Sequence, residues 1–265
     1  MKALKVFIAA TCLAVVTISA FAFINGNHSK ANTNSNGKGF AVVELFTSEG
    51  CSSCPPADKL IARLEKESGD KPIYILAFHV DYWDRLGWKD AFSSADYTAR
   101  QKQYAQWLKL PQYYTPQAVI NGTSECVGSQ EANLRNAIKT GLDGSEKTKL
   151  TLSNIKVDNN KATLQYHTEG TKKNCDLLIA LIQKDASTKV ESGENGGHTL
   201  SHVQIVNQLK TTPLKKGTDG TQSFSLPKGF DPQKWELIGF VQNTSSGEII
   251  GASKAAFPSS LSTNN

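Results

Sequence analysis

Beyond its first two dozen residues the chain has no apolar run approaching the length that crosses a membrane, so no spanning segment is expected after the leader. Basic residues are not gathered into a stripe or cluster. The 29 Lys and Arg stand against 24 Asp and Glu, a net charge of +5, and without Lys2 and Lys5 of the leader about +3. That balance is too mild to argue for nucleic acid or for an anionic membrane surface. No internal repeat occurs. Cysteine is scarce, with five in 265 residues, and only one CxxC is found. A structural zinc site would need two more ligands, so neither a metal nor a cofactor is expected.

What is present is the composition of an ordinary globular protein, 39% apolar and 20% charged with a mean hydropathy of −0.35. Residues 1–22 have the form of a secretory signal. Lys2 and Lys5 make the basic end, 6–18 the apolar stretch, and Ala20-Phe21-Ala22 a cleavage site. Whether this leader is removed or kept as an anchor, the folded part is exported, and a periplasmic or secreted bacterial location is expected, where disulfides persist. Residues 23–38, rich in Asn, Ser, Gly and Lys, are expected to be a disordered linker, and 259–265 a tail.

Two domains are expected between them. In 39–144, apolar runs at 41–47 and 73–78 have the continuity of strands buried on both faces. Amphipathic patterns predict helices at 53–67 and 93–108, and Asn121-Gly122 predicts a hairpin between 118–120 and 125–127. A last helix is predicted over 130–139, with Ser129 as its N-cap and Gly141 past its end. The order is β-α-β-α-β-β-α, an α/β domain whose first two strands are parallel. In 145–258, alternating apolar residues predict an antiparallel β-sandwich-like domain. The alternation slips phase between Leu152 and Ile155, as at a bulge, and 200–209 has a helical pattern.

The first strand runs directly into Thr47-Ser48-Glu49-Gly50-Cys51-Ser52-Ser53-Cys54, and Pro55-Pro56-Ala57-Asp58 opens the helix behind it. A helix N-terminus offers unpaired N–H groups and a positive dipole end, which stabilise a thiolate. Cys51 is expected at the exposed lip as the attacking thiol, with Cys54 one turn in as the resolving thiol. No Lys, Arg or His lies between Gly50 and Asp58 while Glu44 and Glu49 are acidic, so a moderate thiolate is expected. Glu44, on the face of Val42 and Phe46, is either a buried carboxylate exchanging protons with Cys54 or a solvated residue at the sheet edge. Thr115-Pro116 precedes the third strand, which runs antiparallel to the first and so starts beside the CxxC. Pro116 there presents the backbone of Thr115 to an incoming thiol or disulfide partner.

These features resemble the thioredoxin-like superfamily. More closely, the run Val43 to Asp58, Phe78-His79-Val80-Asp81-Tyr82-Trp83-Asp84, Leu86-Gly87-Trp88-Lys89-Asp90 and Tyr114-Thr115-Pro116-Gln117 resemble a secreted bacterial family, domain of unknown function 1223. Gly193-Glu194-Asn195 and Leu200-Ser201-His202 are similar to that family's C-terminal motif. The resemblance covers about residues 40–256 and implies a thioredoxin-like domain followed by a β-rich one, with no established activity. Thioredoxins carry an aromatic residue before the CxxC and Gly-Pro inside it. Gly50 and Ser52-Ser53 stand there in this chain, so neither partner nor redox potential is implied.

His79, Asp81 and Trp83 are candidates for a polar and aromatic substrate wall, with His79 able to shuttle protons. A structural loop is the competing reading. His198 and His202 would share a face if the segment were helical. Cys126 and Cys175 form either an inter-domain disulfide or two buried thiols. The leading expectation is a thiol-disulfide oxidoreductase acting on a protein or small-molecule thiol or disulfide. The alternatives are a periplasmic Cu(I) carrier, since thiolates suit that ion, and a structural module with an inert disulfide.

Overall fold

The computed structural model describes residues 39–170, 174–214 and 219–258. The expected leader, the linker and the tail at 259–265 lie outside the described residues. From residue 39 the elements run β1 (Ala41–Thr47), α1 (Pro55–Ser68), β2 (Ile73–His79), α2 (Ala95–Trp107), β3 (Gln117–Ile120), β4 (Ser124–Val127) and α3 (Glu131–Leu142). Seven strands follow: β5 (Lys149–Asp158), β6 (Lys161–Glu169), β7 (Cys175–Lys189), β8 (Thr199–Leu214), β9 (Asp219–Ser225), β10 (Trp235–Asn243) and β11 (Ile249–Ala256). No described helix is long and apolar enough to cross a membrane.

The result is a mixed α/β architecture with a large mixed sheet and a small second one. The large sheet has eight strands in the order β11-β10-β7-β8-β2-β1-β3-β4; β5-β6-β9 form the other. β1 and β2 are parallel over seven residue pairs, and β3 runs antiparallel to β1 from Val43–Ile120 to Phe46–Gln117. The two segments expected as separate domains meet inside this sheet, where β2 pairs in parallel with β8 at Ala77–Ile205.

Alternation along the strands explains how both faces are covered. Ala41, Val43 and Leu45 of β1 point to α1 and α3, packing with Ala57, Leu60, Ile61, Leu134 and Ile138. Val42 and Phe46 point the other way, to Tyr97 and Tyr104 of α2. β7 does the same further along: Leu178, Ala180 and Ile182 join the α2 face, while Leu177, Ile179 and Leu181 pack on the small sheet with Leu164, Tyr166 and Phe224.

Several local expectations change. The 200–209 segment is strand, not helix: it belongs to β8, whose long pairing with β7 outweighs a weak helical period. Ser129 is not an N-cap, because the last helix starts at Glu131 with Gln130 before it and no side-chain cap. Gly141 lies within that helix rather than past its end. The slip between Leu152 and Ile155 is a register shift between Ser153 and Lys156, with Asn154 at φ +51°. Asn121 and Gly122 turn β3 into β4 at φ +49° and +66°. No disulfide joins Cys126, half-buried on β4, to Cys175, buried on β7.

Candidate functional site

β1 and β2 end side by side, and their carboxyl ends carry the site. β1 leads through Glu49 and Gly50 into Cys51, and Cys54 is the N-cap of α1. Pro55 and Pro56 take the first helical positions, where the missing N–H costs nothing. Cys51 and Cys54 are joined as a disulfide, and both are fully buried. This corrects the expected exposed lip: Ser52 and Ser53 are exposed, the sulfurs are not. Gly50 lets Trp83 pack close, since a Cβ there would stand 3.0 Å from the Cβ of Trp83.

Thr115-Pro116 lies where the strand order puts it. Its peptide bond is cis. The Thr115 carbonyl is 3.5 Å from the Ser53 hydroxyl, which is itself 3.3 Å from Cys51 Sγ. The indole N–H of Trp83 donates to Thr115 Oγ1 at 2.8 Å, so Trp83 does stand beside the motif. Asp81 serves the scaffold instead, accepting from the Thr98 hydroxyl of α2 at 2.6 Å.

Glu44 is neither solvated nor on the disulfide's face. It lies on the α2 face, fully buried, with Arg100 donating from Nε and Nη2 at 2.5 and 2.8 Å and the Tyr104 hydroxyl donating at 2.5 Å. Arg100 also lies 5.0–5.5 Å from the ring centres of Tyr104, Phe240 and Phe78. That network closes a buried ion pair on the face of β1 opposite the one that packs on α1.

The buried acid-base groups near the motif are others. His79 is inaccessible to solvent and is no substrate wall; its Nδ1 is 2.6 Å from Asp90 Oδ2. Burial acts to depress the His79 pKa, but the Asp90 hydrogen bond and the charges of Asp90, Asp58 and Glu49 raise it overall. Asp90 is pushed up by burial, yet the bond to His79 and backbone N–H groups hold it below the usual range. His202 enters from β8, with its ring centre 4.8 Å from that of His79. It sits 3.3 Å from Glu49 and 3.9 Å from Asp58, within ion-pair range though off the line of a hydrogen bond. Burial raises the Glu49 pKa, and contacts to His202 and to the Trp88 indole N–H, at 2.7 Å, bring it below normal. Asp58 is one turn along α1 from Cys54; burial raises its pKa against the pull of both histidines, and Thr47 donates to it at 3.0 Å.

The loop between β7 and β8 completes the site. The Asn195 side-chain amide donates to the carbonyls of Glu49 and Cys51 at 2.8 and 3.0 Å. Glu194 accepts from the Ser52 N–H at 3.0 Å, and the Ser52 hydroxyl together with that N–H holds its carboxyl below the usual range. His198 precedes β8 and so shares no helix face with His202. Among the described residues no group of three or more His, Cys, Asp and Glu side chains is arranged to hold a metal ion.

Residue patterning did not single out Asp58, Asp90, Glu194 or Asn195 as site residues, and it raised His202 only as a helical partner of His198. Asp58 had a local signal, being four residues beyond Cys54 on a helix. The 194–202 segment had no local signal placing it beside the motif, because its approach depends on strand pairing more than 140 residues away from Cys51.

The family model for proteins of unknown function, DUF1223, matches residues 42–242. Protein AGR_C_4864 from Agrobacterium tumefaciens has a similar solved structure, with a TM-score of 0.64 and 24% identity over 86% of this chain and 100% of that one. HBP35 of Porphyromonas gingivalis is similar at a TM-score of 0.62 and 18% identity, over 86% and 78% of the two chains. These likenesses speak to the fold alone. No curated protein matches the chain. With three quarters of its length under one family model, including the CxxC, the His79–Asp90 pair and the Glu194–His202 segment, the chain belongs to the DUF1223 family of proteins of unknown function.

Proposed function

We propose that this protein is an exported thiol-disulfide oxidoreductase of thioredoxin-like design, in which Cys51 attacks, Cys54 resolves and Thr115-Pro116 seats the partner. The observation that carries the reading is the Cys51–Cys54 disulfide between the end of β1 and the start of α1, beside Thr115 and backed by buried titratable groups. The β-α-β-α-β-β-α order of the first seven elements supports the thioredoxin-like assignment, and the apolar leader supports export.

In the dithiol form the Cys51 thiolate attacks one sulfur of a partner disulfide, and the other partner sulfur leaves as a thiolate. Cys54 then attacks Cys51 Sγ, which releases the second partner sulfur and closes the Cys51–Cys54 bond. Two electrons pass to the partner, and the two protons of the dithiol end on its thiols. Asp58, whose carboxyl pKa is pushed up by burial, is the group one turn from Cys54 that takes up the Cys54 proton as it attacks, in place of Glu44. Glu49 and Glu194 near the motif disfavour additional negative charge, so no strongly oxidising site is expected.

The test is a glutathione redox titration of the mature protein carried to equilibrium, reading the cysteine state by alkylation and mass. The expected result is a reversible two-electron transition at Cys51–Cys54, with Cys54→Ser trapping mixed disulfides that Cys51→Ser does not. A pair that stays oxidised throughout, with nothing trapped, makes the bond an inert structural disulfide.

A further inference from the structure

Thiol-disulfide exchange requires the attacking sulfur to reach one of the two sulfurs, and here neither cysteine is exposed. The groups bonded over the motif come from the 190–198 loop. That loop is folded on itself through Val190 N–H to the His198 carbonyl, Gly197 N–H to Val190, and His198 N–H to Asn195. Side chains hold it to the motif: Asn195 on the Glu49 and Cys51 carbonyls, and Glu194 on the Ser52 N–H. Next to them, the Ser192 hydroxyl donates to the Gly87 carbonyl, and Gly193, at φ +74°, leaves a Cβ only 3.2 Å from Trp88.

Resting on the redox reading above, we propose that Glu194 and Asn195 are specificity-determining residues: they close the disulfide to small thiols, and an extended polypeptide opens it by replacing them. Lifting the loop frees one backbone N–H, of Ser52, and two backbone carbonyls, of Glu49 and Cys51. A donor and acceptors of the main chain are what another main chain satisfies, as in strand addition. A small thiol offers no such replacement and has to await spontaneous opening. The surface beside the loop suits a polypeptide as well. The exposed large hydrophobic residues among those described are Leu86, 50% exposed, and Tyr113, 38% exposed. Leu86 adjoins Gly87 under the loop, and Tyr113 precedes Thr115 by two residues and packs on Tyr82.

In the oxidised direction a peptide thiolate attacks Cys51 Sγ, forming a mixed disulfide while Cys54 leaves as a thiolate. A second peptide thiol displaces Cys51. The peptide disulfide forms, and Cys51 and Cys54 take up the two electrons and two protons.

The experiment follows reduction of the oxidised protein by N-acetylcysteine and by a nine-residue peptide with a central cysteine between Leu and Tyr, at equal thiolate concentration. Wild type is expected to react about tenfold faster with the peptide, the equivalent of one or two main-chain hydrogen bonds. In Glu194→Gln with Asn195→Ala the N-acetylcysteine rate rises about tenfold and the preference falls toward one. Glu194→Gln alone changes an exposed side chain and guards against misfolding: faster hydrogen exchange at the Ser52 N–H with unchanged strand protection supports the latch. Equal rates for both thiols in wild type, or an unchanged N-acetylcysteine rate in the variants, overturns it. Failure of both thiols to reduce wild type and variants alike overturns the redox reading beneath it instead.

Discussion

A carboxylate and an imidazole, both out of reach of water, face each other at 2.6 Å in Asp90 and His79. The His79 pKa is raised in the folded state, so its stabilisation is complete below the unfolded value of about 6.5 and is lost as pH rises through the folded one. The Asp90 pKa is lowered, so its contribution is present above about pH 4 and is lost as pH falls through the folded value. The pair therefore stabilises most between about pH 4 and 6.5. Asp58 acts oppositely, since its raised pKa makes ionisation costly as pH climbs past its unfolded value. Asp90→Asn should destabilise by about 3–5 kcal/mol near pH 6 and remove this excess stability, as urea titrations across pH would record. On the redox side, Asp58→Asn should slow the Cys54 step and flatten its pH profile while leaving alkylation of Cys51 in the reduced protein unchanged. Residues of this kind were only half legible. Cys51, Cys54, Thr115 and Pro116 could be named because local order places them. Of the two readings of Glu44 the buried carboxylate holds, and its partner could not be named because Arg100 sits 56 positions away.

Among the elements, the β3–β4 hairpin and β8 position the most. Gly122 turns the hairpin at φ +66°, and a Cβ on it would fall 1.8 Å from the Gly247 carbonyl oxygen. Gly122→Ala should therefore cost about 2–3 kcal/mol, seen as a lower midpoint in thermal or denaturant unfolding, from both strain and displaced backbone. The ion pair on α2 offers a contrasting test. Arg100→Leu strands the Glu44 carboxylate and should cost about 3–5 kcal/mol, yet leave the Cys51–Cys54 redox midpoint where it was, because that pair faces away from the disulfide. A shifted midpoint would restore Glu44 to the redox site. Within β8 the 200–209 segment carries a helical pattern. Two histidines four apart invite that reading, and only pairing along the whole of β7 reveals a strand.

At the scale of the molecule, one sheet runs through what looked like two domains. Val42 and Phe46 of β1 share their core with Leu178 and Ala180 of β7 and Phe240 of β10. Residues 39–144 expressed alone would expose that face and the β2 edge, so they are expected to unfold or aggregate. The described body should unfold in one cooperative transition, with near-ultraviolet dichroism and tryptophan fluorescence coinciding. Two separated transitions, or a stable 39–144 fragment, would contradict this.

The sequence by itself determined the CxxC between a strand and a helix, the order of the first seven elements, the Asn121-Gly122 turn and the position of Thr115-Pro116. These follow from periodicity and turn chemistry within about twenty residues of chain. Only the tertiary structure decided that the disulfide is buried, that Asp58 and His202 meet beside it, and that Glu194 and Asn195 hydrogen-bond to its backbone. Those relations arise where β8 meets β2, and pairing between strands so far apart leaves no trace in the local pattern of either.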